Sequence, residues 1–195
     1  AYYPNRREEY GFRGDNLLAF NRAVEVYARE HVESLTFQPI PSVAKGYYEL
    51  GAHRIVLNSR LNESEKAKTL IHELAHAKMH GENSPYRDTT IREKEMQAEM
   101  TAYVVSKSFG LDPDDASIRY VANWTGKFTE IENIEKNLAA IQKTSREMIQ
   151  GIDTQYGLEL EKVVEKSTVK EEAGILVPEK ADEVNKQEGR EEGKE

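Results

Sequence analysis

Apolar residues recur at spacings of three and four in several stretches and cluster tightly in another. Leu17, Phe20, Val24 and Tyr27 mark one face of a helix that Asp15 or Asn16 can cap and that runs to about His31. Pro39 and Pro41 interrupt the chain. Gly46–Leu50 and His53–Asn58 then flank Gly51-Ala52, which predicts a β-hairpin with a tight turn. A second helix starts at Ser59 or at Asn62–Ser64, with Glu65 three residues after Asn62 as a capping signal, and ends near His80-Gly81. Polar residues 82–92 read as a loop, and a third helix spans Arg92–Phe109, closed by Gly110. Asp112-Pro113 opens a shorter helix through Trp124. Phe128, Ile131, Ile134, Leu138, Ile141, Met148 and Ile152 trace a stripe on a long helix from about Glu130 to Gln155, broken by Ser145.

The second helix changes the picture, because its pattern is not that of an ordinary surface helix. Leu70, Leu74 and Ala77 line one side, with Ile71 and Ala75 beyond them. Thr69, His72, Glu73, His76 and His80 share another. A helix apolar on several sides and polar on one stripe is a core helix with a site on it. His72-Glu73-Leu74-Ala75-His76 is an HExxH match. Positions i and i+4 project from one face, so two imidazoles can meet one metal ion with Glu73 beside them. Zinc suits neutral imidazole, keeps a position open for water, and lowers that water's pKa so that Glu73 can act as general base. His80 lies one turn beyond His76, a spacing at which a single helix does not readily wrap three histidines around one ion. It is assigned to the surroundings of the site or to solvent. His53, near the turn, reads as exposed rather than as a ligand.

A third ligand is available on the next helix. Glu95 and Glu99 stand one turn apart on one face, and Ala98 and Ala102 beside them allow close helix packing. Glutamates on such a helix are commonly solvated charges. Following an HExxH helix, in a segment otherwise apolar (Tyr103, Val104, Val105, Phe109), a carboxylate delivered to a His-His-Glu zinc site is the better reading. Tyr86, Tyr103, Tyr120 and His80 are candidates for stabilising an oxyanion. The hairpin's edge strand can hold an extended peptide by main-chain hydrogen bonds, or can be purely structural.

Composition bounds the rest. The 195 residues suit one compact domain with a tail: an arm and helix over 1–42, a catalytic domain over 43–156, and a charged, mostly disordered tail over 157–195, with twelve Asp/Glu against seven Lys/Arg and a first stretch that can be helical. The net charge of −8 does not indicate a broad nucleic-acid surface, although DNA remains open as a partner. Arg6, Arg7 and Arg13 are interleaved with Glu8, Glu9 and Asp15, as in a solvated segment. The absence of cysteine removes disulfides, thiolate ligands and a thiol nucleophile, and fits a reducing compartment. No apolar run reaches membrane-spanning length and no signal peptide opens the sequence, so a cytoplasmic location is the expectation, with no membrane partner.

The pairing of Leu70–His76 with Glu95–Tyr103 resembles the ImmA/IrrE-type zincin metallopeptidases. Their second motif is Glu-x-x-Ala followed by a polar residue and a small, apolar run, which Glu95 and Ala98 match. The resemblance covers about residues 43–152. It implies an α+β, zincin-like fold of a small β-sheet, an HExxH helix and packing helices, with His72, His76 and Glu95 holding Zn2+ and Glu73 catalytic. Glu99 stands where related zincins place an acid that orients a ligating histidine. It departs from the Asn or Asp common in the family, so Glu95 and Glu99 can exchange roles. In that departure, in Gly46-Tyr47-Tyr48 and in Ser117–Trp124, the chain is similar to the zincin-like domains of ArdC-type antirestriction and LtrC-like proteins of mobile elements. The implied activity is hydrolysis of peptide bonds in a specific regulatory protein of a plasmid, phage or conjugative element. The alternatives are an antirestriction or DNA-associated binding module with a structural or vestigial zinc, and an interaction protein working through its tail. The oligomeric state stays open.

Overall fold

Among the described residues, four helices of amphipathic sequence and three short strands build a layer of helices on a small sheet. The computed structural model describes residues 15–111 and 134–174. Expectations for the arm 1–14, for residues 112–133 with Tyr120 and Trp124, and for residues 175–195 lie outside them. Helix α1 covers Asp15–Arg29, and strand β1 (Ser34–Gln38) follows it. Strands β2 (Gly46–Glu49) and β3 (Arg54–Asn58) form the expected hairpin. Helices α2 (Glu63–His80), α3 (Ile91–Ser108) and α4 (Ile134–Gly174) complete the described part. The fold is α+β, as expected.

The sheet has the order β1-β3-β2. β3 lies parallel to β1 (Leu35 opposite Ile55) and antiparallel to β2 (Tyr48 opposite Ile55). Its central strand is wholly apolar inside, with Ile55, Val56 and Leu57 at 0% exposure. Strand β1 was not among the predicted elements. It is a five-residue segment between a helix and two prolines, too short for its alternation to stand out. The turn is wider than the expected Gly51-Ala52: it takes residues 50–53, and His53 is left-handed (φ 43°). His53 Nδ1 lies 2.7 Å from the Tyr48 hydroxyl, which holds that backbone in place.

Both central helices begin with a reciprocal cap. The Asn62 side chain accepts from Glu65 N–H, and the Glu65 carboxylate accepts from Asn62 N–H. Thr90 and Glu93 do the same at α3, so residues 82–92 end in a cap rather than a plain loop. Gly81 closes α2 in an extended conformation, and Gly110, past α3, is left-handed (φ 79°).

Helix α4 runs well past the Gln155 end read from its apolar stripe. Tyr156 is buried, and Leu160 and Val163 pack against the same core as Met148 and Ile152. Glu159 is anchored between Arg22 of α1 (3.0 Å) and Lys162 (2.6 Å). High charge content masked this continuation in the sequence. Helix α1 lies on α4 and α2, so Phe20, Val24, Leu70, Leu74, Ala98, Val105 and Met148 belong to one cluster. Phe20 is its hub, 5.0 Å from the Phe109 ring and edge-on to Tyr156 at 5.5 Å.

Tyr27 of α1 lies across Gly151 of α4. A Cβ at 151 would stand 2.0 Å from Tyr27 Cε2, whereas one at Gly157 would meet nothing within 4 Å. The same substitution at these two sites of one helix should therefore have opposite signs. Gly157→Ala gains helix propensity and should stabilise by up to about 1 kcal/mol. Gly151→Ala forces the buried ring aside and should destabilise by about 1–2 kcal/mol net. Thermal unfolding of both variants checks this; a Gly151→Ala chain as stable as the wild type would contradict the packing described.

Candidate metal centre

Helices α2 and α3 lie side by side, with Ala98 buried and Ala102 nearly so between them. That closeness carries the carboxylates of α3 onto the polar stripe of α2. Strand β2 closes the third side. Gly46 sits so near α2 that a Cβ would come 2.9 Å from Thr69 Cγ2 and 2.7 Å from Leu57 Cδ2. Only glycine lets the strand lie this close, one turn before His72 and Glu73.

The structure brings His72, His76 and Glu95 together, with donor atoms all within 4.8 Å of one another. The two Nε2 atoms face each other at 3.1 Å. Glu95 Oε1 lies 3.6 Å from His76 Nε2, and Oε2 lies 3.9 Å from His72 Nε2. Glu99 takes a different place. Its Oε2 lies 3.1 Å from His72 Nδ1, on the far side of the ring from the cluster. An ionised carboxylate only accepts, so Glu99 keeps a proton on Nδ1 and leaves Nε2 bare. Glu95 and Glu99, interchangeable in the sequence, are thus distinguished in space.

The electrostatics follow the geometry. Burial pulls the His72 pKa down, but the hydrogen bond to Glu99 and the charges of Glu73, Glu99 and Glu95 outweigh it, and the net shift is upward. The neighbouring His76 imidazole holds the Glu95 carboxyl below its ordinary value, against partial burial. Glu73 is 8% exposed, and burial raises its pKa despite His72, His76 and a hydrogen bond from the Tyr48 main-chain N–H. That bond ties β2 to the site. Because Tyr48 N–H turns to Glu73, its side of β2 faces away from β3, along the edge of the sheet formed by the described residues.

His80 is neither a member of the cluster nor solvated. It is 4% exposed, and burial depresses its pKa to about 4. Its Nδ1 lies 3.1 Å from His76 Nδ1, and its Nε2 lies 2.8 Å from Gln97 Oε1. Gln97 Nε2 donates to Asn137 Oδ1, and Asn137 Nδ2 donates to Glu93 Oε1 at 3.4 Å. Sequence reasoning did not single out Gln97, Asn137 or Glu93. Gln97 is the one amide among the uncharged polar residues on the buried side of α3, beside Thr101 and Ser106, a signal open to inspection. Asn137, forty positions further on and on another helix, has no local signature. Of the candidate oxyanion partners among the described residues, Tyr103 lines a cavity of about 220 Å³ beside His72 and Glu73. Tyr86 packs instead on the cluster of Met79 and Ile141.

Residues 28–106 match the peptidase family described as the IrrE N-terminal-like domain. The matched span takes in the sheet, α2 and nearly all of α3, and ends before α4. The chain is also similar to an uncharacterized protein of Bacillus anthracis, 28% identical over 175 residues, which are 85% of this chain and 29% of that protein. The chain spans under a third of the length of this curated relative. No solved structure matches it. No helix among the described residues is long and apolar enough to cross a membrane.

The unequal placing of the two glutamates should show in titration. Glu99→Gln removes the carboxylate bonded to Nδ1 and should lower the His72 pKa more than Glu95→Gln does. Histidine NMR titration of the metal-free variants checks the order; the reverse order would contradict it.

Proposed function

We propose, from the match of residues 28–106 to a peptidase family and from the site on α2 and α3, that this chain is a zinc metallopeptidase. In this reading His72, His76 and Glu95 hold the ion and Glu73 is the general acid–base. The observation that carries it is the pair of Nε2 atoms 3.1 Å apart with a carboxylate closing the triangle. Two imidazole nitrogens at that distance need a proton or a metal ion between them, and the carboxylate beside them favours the metal. Tetrahedral bonds of about 2.0–2.1 Å require neighbouring donors about 3.3 Å apart, close to the spacing present.

A bound zinc supplies Lewis acidity to a water and to the substrate carbonyl. The chain's own residues do the remainder. Glu73, with a raised pKa and a fixed orientation from Tyr48 N–H, takes the proton released as water attacks. The same carboxyl then returns a proton to the leaving amine. The edge of β2 that faces away from β3 runs beside it, suited to pairing with an extended segment of substrate. The adjoining cavity of about 220 Å³ accepts one side chain, past Lys45 and Lys68 at its lining and with the Tyr103 phenol at its wall. We extend the reading to a narrow substrate, a regulatory protein of a plasmid, phage or conjugative element; support for this comes from the likeness of Glu95–Tyr103 and Gly46–Tyr48 to proteins of such elements.

Glu73→Gln tests the reading. The variant should hold as much zinc as the wild type and lose hydrolysis by about 10²- to 10⁴-fold. Labelling of new protein N-termini in cells producing either form provides the measurement, since it needs no known substrate. New termini that appear with the wild type alone support proteolysis. Termini, or a biological effect, equally present with Glu73→Gln would sink it.

A further inference from the structure

The two histidines of the cluster are held by different means, and the second arrangement reaches across three helices. It is best followed from its charged end. Glu93 Oε2 accepts from the Thr89 and Thr90 hydroxyls and the Thr90 main chain, while Oε1 faces Asn137. A carboxylate met by donors on both oxygens in this way is the acceptor end of the chain. An ionised carboxylate has only acceptors. It therefore takes the NH2 of Asn137 and turns Oδ1 toward Gln97. Oδ1 takes the NH2 of Gln97, which turns Oε1 toward His80. Oε1 can only accept, so His80 Nε2 carries a proton.

Gln97, Asn137 and His80 are 2%, 4% and 4% exposed. In that setting, with an amide and an imidazole as its bonded partners, His80 is neutral. A neutral imidazole protonated on Nε2 has a bare Nδ1. That atom lies 3.1 Å from His76 Nδ1, so the proton between them belongs to His76. With Nδ1 protonated, His76 presents a bare Nε2 to the site.

We infer that His80, Gln97 and Asn137 are positioning residues, a one-way chain of hydrogen bonds anchored on Glu93 that fixes the His76 tautomer and ring orientation and leaves Nε2 free for the ion. The functional consequence rests on the zinc site proposed above. His72 has the same service from Glu99 directly. His76 has it through neutral groups, which adds no further negative charge beside the site. Asn137 lies outside residues 28–106, so this support comes from α4, a part of the chain beyond the family match. Partners of ligating histidines of this kind are generally worth about 10- to 100-fold in metal affinity.

Long-range 1H–15N correlation spectra of the full chain, freed of metal by chelator, read the tautomers directly. The expected result is a proton on Nε2 of His80 and on Nδ1 of His76. Gln97→Met keeps length and bulk but removes the acceptor. In it both histidines should lose their fixed tautomers, and zinc affinity, measured by chelator competition, should fall about 10- to 100-fold. Thr101→Val, one turn on and bonded to Met79 Sδ, is the control for a merely structural effect. It should lower stability while moving neither tautomer nor affinity. If Gln97→Met does not fold, Asn137→Leu gives the same readout. His80 protonated on Nδ1 in the wild type overturns the inference, as does a folded Gln97→Met with wild-type tautomers and affinity. A wild type with both expected tautomers but no zinc binding supports the chain of bonds and contradicts the zinc reading.

Discussion

A helix buried on nearly every side must find a partner for each polar side chain it carries, and α2 carries His72, Glu73, His76 and His80 on one stripe. Much of the described structure answers that need. Helix α3 brings Glu95 and Glu99 because Ala98 and Ala102 let it lie close. Strand β2 brings a main-chain N–H to Glu73 because Gly46 lets it lie close. Helices α3 and α4 together satisfy His80 through Gln97 and Asn137. The apolar sides of α2, with Leu70, Ile71 and Leu74, hold it against α1 and the sheet. Packing and polar satisfaction therefore act on the same helix, and neither can relax without the other.

The charges on that stripe are arranged to keep roles apart. Glu95 is half exposed and held ionised by its histidine neighbours, whereas Glu73 is buried with its pKa raised. Two neighbouring glutamates thus have opposite tendencies, one toward the ionised and one toward the protonated form. Glu99 sits behind His72, against its Nδ1. The division arises from burial and from which nitrogen each carboxylate meets, not from residue type.

Local signals in the sequence were enough for the helix that carries HExxH. His72, Glu73 and His76 follow from helical periodicity, and Asn62 with Glu65 marks the helix start. The alanines of α3 pointed to close packing, but which glutamate faces the imidazoles depends on how α3 is rotated, and that is set by contacts with α2 and α4. The same dependence hid Asn137. His80 illustrates the limit most clearly. Its spacing argued against ligation, yet only the position of Gln97 shows that it is buried and bonded rather than solvated. The continuation of α4 was obscured because Gly157 and a run of charges read as a tail, while Tyr156, Leu160 and Val163 were too few to register as a stripe.

Zinc K-edge X-ray absorption of the full chain loaded with one equivalent of zinc tests the centre of this account most directly. It should show two imidazole nitrogens and a carboxylate oxygen at about 2.0–2.2 Å, with a further oxygen from water, and the carboxylate should vanish in Glu95→Gln but persist in Glu99→Gln. A zinc bound through three imidazoles, a carboxylate lost in Glu99→Gln instead, or an ion that does not stay with the protein through gel filtration would contradict it.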